Sequence, residues 1–107
     1  MVHIALPRGA EQPRIEHPPL RVVRMSAPCF DVGIELHDID GVPLRVYEPA
    51  KTVVDCFKFR SLVGVETALT GLKRLRQRRG FDVEHLLGFA RACRVERVIR
   101  PYVEALL

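Results

Sequence analysis

The hydrophobic period of this chain changes once, at Pro49, and that change constrains the fold more than any other feature. Before it, apolar residues recur at every second position, the spacing that lines one face of a β-strand. After it they recur every three or four, the spacing of a helix face. Residues 1–49 also hold seven of the eight prolines. Val2, Ile4 and Leu6 sit two apart, and Pro7 and Gly9 end that run. Leu20 to Met25 is a second strand candidate, with Pro18 and Pro19 limiting where it starts. Ile34 to Ile39 and Val42 to Tyr47 flank Asp40-Gly41, a pair that tolerates the positive φ angles of a two-residue hairpin turn. Val42, Leu44 and Val46 share one face of the second arm. Pro43 lies on the other and has no N–H for a ladder, which places this strand at an edge or delays its pairing.

Pro49 suits the first turn of a helix, where its missing N–H costs nothing. Ala50, Val53, Val54 and Phe57 then form an apolar stripe. A second helix follows Gly64, with Val65, Ala68, Leu69, Leu72 and Leu75 in register, and Gly80 is placed to end it. A third opens at Asp82, a capable N-cap, and buries Val83, Leu86, Leu87 and Ala90. The fourth reads Val95, Val98, Ile99, Tyr102 and Leu106. Pro101 interrupts it, at roughly 3 kcal/mol inside a continuous helix, so a kink or break is expected near Arg100. Strands first and helices second predict an α+β fold. A small, mainly antiparallel sheet from residues 1–49 packs against three to four helices from residues 50–107, as one domain.

With 48% hydrophobic and 28% charged residues, the chain is neither a disordered tail nor a collagen-like rod nor a disulfide scaffold. No apolar run approaches the roughly eighteen residues a membrane span needs, and residues 1–15 do not read as an export signal. A cytoplasmic protein without membrane attachment is the expectation. Cys29, Cys56 and Cys93 are an odd count, far apart, with no Cys-x-x-Cys pair; the ordinary reading is free, buried thiols.

The formal charge of +4 is unevenly spread. Residues 1–60 hold eight basic and eight acidic side chains, and residues 61–107 hold nine and five. Five of those nine fall within residues 73–79: Lys73, Arg74, Arg76, Arg78 and Arg79. The ordinary explanation is a solvated helix end matched to the helix dipole. The functional alternative is a phosphate-binding patch for nucleic acid, or a site for an acidic protein. No aromatic residue interrupts the run, which disfavours stacking on single strands.

Catalytic constellations are scarce. There is no glycine-rich phosphate loop, and His3, His17, His37 and His85 have no neighbour at metal-ligand spacing. His37, Asp38 and Asp40 form a small cluster that turn chemistry already explains. Asp40, Glu48 and Lys51 echo hairpin nucleases with a Glu-x-Lys element, but Glu-Pro-Ala-Lys is one residue too long. Ser26 and Ser61 have no identifiable base. The residues point away from an enzyme, with no cofactor and no metal.

One ordered set of segments is distinctive. Ala50 to Arg60 reads Ala-Lys-Thr-Val-Val-Asp-Cys-Phe-Lys-Phe-Arg, followed by Val63-Gly64-Val65, Ala68-Leu69, Ala90-Arg91-Ala92-Cys93-Arg94-Val95 and Arg100-Pro101-Tyr102-Val103. With Ile4 to Gly9 and Asp40 to Tyr47, this resembles the C-terminal domain of the AbiEi family, antitoxins of bacterial type IV toxin–antitoxin and abortive-infection systems. The resemblance implies a functional partner, a nucleotidyltransferase-type toxin encoded nearby. It also implies a link to transcriptional autoregulation, which in relatives runs through an N-terminal winged helix-turn-helix; this chain matches the family without that part. Lys51, Thr52, Asp55, Arg60, Pro101 and Tyr102 are the motif positions, expected to be mainly structural. An exposed sheet edge near Pro43 makes a homodimer conceivable.

Overall fold

The computed structural model describes residues 2–10 and 20–106. The chain divides into two units, Met1–Asp31 and Val32–Leu107. The change of period at Pro49 therefore lies inside the second unit, and the hairpin belongs with the helices. Pro18 and Pro19 lie outside the described residues.

In the first unit, β1 (Val2–Pro7) pairs with β2 (Leu20–Met25) in parallel, with Val2 opposite Leu20 and Pro7 opposite Met25. The twelve intervening residues, 8–19, are the length a parallel crossover demands, since no two-residue turn can bring parallel strands together. Arg8 N donates to Met25 O at 3.2 Å, and the Arg24 guanidinium donates to the carbonyl of Ala10. A single helical turn, α1 (Ala27–Phe30), carries Pro28 in its first turn and buries Cys29, whose sulfur lies 3.8 Å from the Met25 sulfur.

The second unit opens with the antiparallel ribbon β3 (Ile34–Ile39) and β4 (Val42–Tyr47), in the register Ile39 opposite Val42 and Ile34 opposite Tyr47. Asp40 and Gly41 both take positive φ, +52° and +81°, as a hairpin turn with the strands' own twist requires. Gly41 N also donates to Asp38 Oδ1 at 2.8 Å. Glu48 N donates to Gly33 O at 2.7 Å, which sets the phase of the ladder. Odd-numbered residues of β3 thus bond to β4, and Pro43, opposite Asp38, falls at a position whose N–H would point away from the ladder. Pro43 costs this ribbon nothing.

The class is α+β, with a small antiparallel ribbon and a cluster of helices. The apolar face of β4, however, is exposed. On the same face β3 contributes Glu35 and His37, so no side of the ribbon is wholly apolar, and residues 35–46 are all exposed.

Five helices follow: α2 (Pro49–Lys58), the single turn α3 (Arg60–Val63), α4 (Val65–Arg76), α5 (Val83–Ala92) and α6 (Glu96–Leu106). Their apolar stripes converge on Val54, Phe57, Ala68, Leu72, Leu86, Ala90 and Ile99, each no more than 1 % exposed. Asp82 accepts from Glu84 N at 2.9 Å and caps α5 as its sequence predicts. Gly64, at φ +89°, turns the chain between α3 and α4. Two expectations need correction. Gly80 does not terminate α4; the helix stops at Arg76, because Leu75 is its last buried residue and residues 76–79 offer no apolar side chain to hold another turn. Nor does Pro101 break the last helix. Arg97, whose carbonyl loses its partner, and Pro101 are both exposed, so solvent can satisfy the freed group. Of the cysteines, Cys56 is free as expected but only half-buried, whereas Cys29 and Cys93 are buried as expected but not free. Among the described residues, no helix is long and apolar enough to cross a membrane.

Gly33 carries the tightest backbone requirement. It adopts φ +71°, and a Cβ there would lie 2.5 Å from Lys51 Cβ and 2.7 Å from its Cγ. Gly41 has comparable φ and open space. Gly33→Ala should therefore destabilise the fold by about 2–4 kcal/mol, and Gly41→Ala by only about 1–2 kcal/mol from backbone strain. Urea titration of both variants reads the difference; equal losses would contradict the close approach.

Candidate nucleic-acid interface

The five clustered cations straddle the end of α4. Lys73, Arg74 and Arg76 stand in its last turn, favoured there by the negative end of the dipole. Arg78 and Arg79 lie in the following turn, tightened by Gln77 N to Arg74 O (3.2 Å) and Arg78 N to Leu75 O (3.0 Å). All five are exposed, and among the described residues none makes an ion pair. No carboxylate of the described residues lies at salt-bridge distance from them.

The structure does not gather them at one point. Arg78 and Arg79 line a cleft of about 220 Å³ with His85 and the N-terminal ends of α2 and α5, at Glu48, Pro49 and Asp82. Arg76 instead flanks an apolar notch formed by Leu72, Phe81, Val103 and Leu106. Its stem packs on carbon while its head group stays in water. Within the cleft, His85 Nε2 and Glu48 Oε1 are in hydrogen-bond contact at 2.5 Å, and the His85 ring meets Phe89 edge to face. Glu48 and His85 are 37 positions apart. No spacing in the sequence announces that pair, and only the packing of α5 beside the start of α2 reveals it.

The motif positions at α2 include a second site, centred on a buried lysine. Lys51 is fully buried, and its Nζ donates to both Asp55 oxygens, at 2.7 and 2.9 Å. The same ammonium sits 3.8 Å from the centre of the Tyr47 ring, a cation–π contact. Burial pushes the Lys51 ammonium down and the Asp55 carboxyl up from their ordinary values, and the bond between them opposes both shifts. The Cys56 thiol is pushed up by burial and by the Asp55 charge. Thr52 Oγ1 donates to Glu48 O one turn back, at 3.1 Å. Arg60 donates to Phe57 O at 2.8 Å, and Tyr102 packs on Phe57 with ring centres 5.3 Å apart. Pro101 is exposed and touches none of this. Five of the six motif residues thus hold backbone or core in place.

The nuclease-like trio is not assembled. Asp40 is at the ribbon tip, a six-residue strand and so about 20 Å from Glu48, while Lys51 is committed to Asp55. The His37 ring instead pairs with Glu35, at 3.1 Å.

No protein-family model, curated protein or solved structure matches the chain.

Removing one member of a buried pair strands the other in a poor solvent, whereas removing both need not. Asp55→Ala should cost about 3–5 kcal/mol in chemical denaturation, and Lys51→Met with Asp55→Leu should recover most of that loss. A double variant no more stable than the single one would show that the pair is not the unit of stability.

Proposed function

We propose that this chain works by binding rather than by catalysis, and that the basic end of α4 is its contact with nucleic acid. The observation that carries this reading is the set of five exposed cations, in seven consecutive positions, that pair with no carboxylate among the described residues. Such a surface attracts phosphates by releasing their counterions, so affinity must fall steeply with salt. With all five residues engaged, the logarithm of affinity should fall against the logarithm of salt with a slope of about −3.5 to −4.5. The cleft geometry ranks the side chains. Arg78→Glu with Arg79→Glu should abolish a gel shift, while Arg76→Glu, on the notch beside α6, should weaken it less. Binding that ignores salt or survives the paired change would remove the proposal.

The resemblance supplies a physiological setting for that contact. An antitoxin-type domain that counters a nucleotidyltransferase toxin acts within a type IV toxin–antitoxin system, in the bacterial cytoplasm and without cofactor or metal. What supports this reading is the order of the resembling segments along nearly the whole chain, together with the structural role of the motif residues Lys51, Thr52, Asp55, Arg60 and Tyr102, which bond backbone, each other or core. These specify a scaffold and leave the surface free to vary with its target. Co-expression with the toxin encoded beside it should restore growth. Failure to rescue, with the chain shown to be folded and present, would exclude it.

A further inference from the structure

The β3–β4 ribbon has one edge that its own sequence does not blunt. The Glu48–Gly33 bond fixes which main-chain groups face outward: those of Ile34, Leu36 and Asp38 on β3, and those of Pro43, Arg45 and Tyr47 on β4. On β4, Pro43 removes a donor, a common protection against edge-to-edge pairing. On β3 all three outward residues keep both donor and acceptor. Leu36, at the middle of that edge, is 73% exposed, more than any other large apolar side chain among the described residues. A two-stranded ribbon exposed on both faces is marginal in water, and further strands are what ordinarily stabilise it.

We propose that β3 is a self-association edge. A second copy of this chain adds its own β3 antiparallel, about a two-fold axis through Leu36, to give a continuous four-stranded sheet. The sequence of β3 is self-complementary in that register and in no neighbouring one. With Leu36 opposite Leu36 of the second copy, Ile34 and Asp38 form the flanking hydrogen-bonded pairs, about six main-chain bonds in all. Glu35 then faces the second copy's His37, and His37 its Glu35, at the non-hydrogen-bonded positions where side chains come closest. The two already attract each other within one ribbon, at 3.1 Å. Sliding the strands two residues either way sets Glu35 against Glu35 or His37 against His37. Sliding by one sets the outward main-chain groups of one copy against residues of the other whose groups already bond β4, so the ladder is lost. Charge and phase therefore select a single isologous arrangement, which favours a second copy over an unrelated strand.

Sedimentation velocity of the full chain, from about 1 μM to about 500 μM, tests this. The expected result is a shift from monomer towards dimer with rising concentration. Leu36→Lys, which sets two ammonium groups against each other on the axis, should hold the chain monomeric throughout. Glu35→Lys should weaken the dimer about tenfold, and adding His37→Glu to it should restore the original affinity by setting an ammonium against a carboxylate. All these positions are exposed, so circular dichroism should show an unchanged helical fold. A chain monomeric at every concentration, a dimer indifferent to Leu36→Lys, or a charge exchange that fails to restore association would each overturn the proposal.

Discussion

The second unit is organised around the burial of one ammonium group. Taking Lys51 out of water costs several kcal/mol, and the structure meets that cost with three partners drawn from different places. Asp55, one turn further along α2, supplies the compensating carboxylate; the face of Tyr47, the last residue of β4, supplies the ring. Gly33, just before β3, supplies space, because only a residue without Cβ lets the backbone come so near the lysine stem. The two ends of the ribbon are thereby fixed against the first turn of α2. The clamp ties the base of the ribbon to the start of α2, beside the Glu48–Gly33 bond that sets the ribbon's phase.

From this anchored start, α2 positions the remaining helices. Val53 and Val54 are buried in the helical core, Phe57 meets Tyr102 of α6, and Lys58 Nζ donates to the Cys93 carbonyl at the end of α5, at 2.9 Å. At its other end, Glu48 holds His85 on the first turns of α5. The chain leaving α4 must cross to that same point to reach Asp82. Arg78 and Arg79 are therefore carried in the short connection that spans it. The cleft is a by-product of helix packing, and its cationic wall comes from where α4 runs out of apolar residues. Elsewhere, Glu96 of α6 is bonded to both Arg91 and Arg100, each at 2.7 Å, so part of the cationic charge of α5 and α6 is paired.

What the sequence made readable was local. The hairpin could be read to the residue because Asp40-Gly41 fixes the turn and the turn fixes the register. Pro49 and Asp82 marked helix starts because the first turn of a helix has a chemistry of its own. The stripe Ala50, Val53, Val54 and Phe57 is buried as its period implies. Interactions distant in sequence left no such trace. The parallel pairing of β1 with β2 needs only a long connection and two apolar strands, which do not encode direction. Lys51 and Asp55 read as an i,i+4 pair that stabilises its helix and packs against the hairpin, but nothing near them reveals that Gly33 and Tyr47 close over the lysine. The five cations read as one helical patch, because the point at which α4 stops depends on which side chains find a core.

The prolines show the same division in a single residue type. Proline lacks one donor wherever it stands, so its cost depends on where that donor would have pointed. At Pro49 it would have pointed out of a first helical turn, where no partner exists, and this is legible from sequence. At Pro43 it would have pointed away from β3, a fact settled by the phase of the ladder, so the residue sits within a regular strand and protects its outer edge. At Pro101 it would have bonded the Arg97 carbonyl, but that carbonyl lies on the exposed face of α6 and has water as a substitute, so the helix continues. One missing N–H is neutral in the first place, protective in the second and tolerated in the third. The difference is carried by geometry that the identity of the residue does not contain.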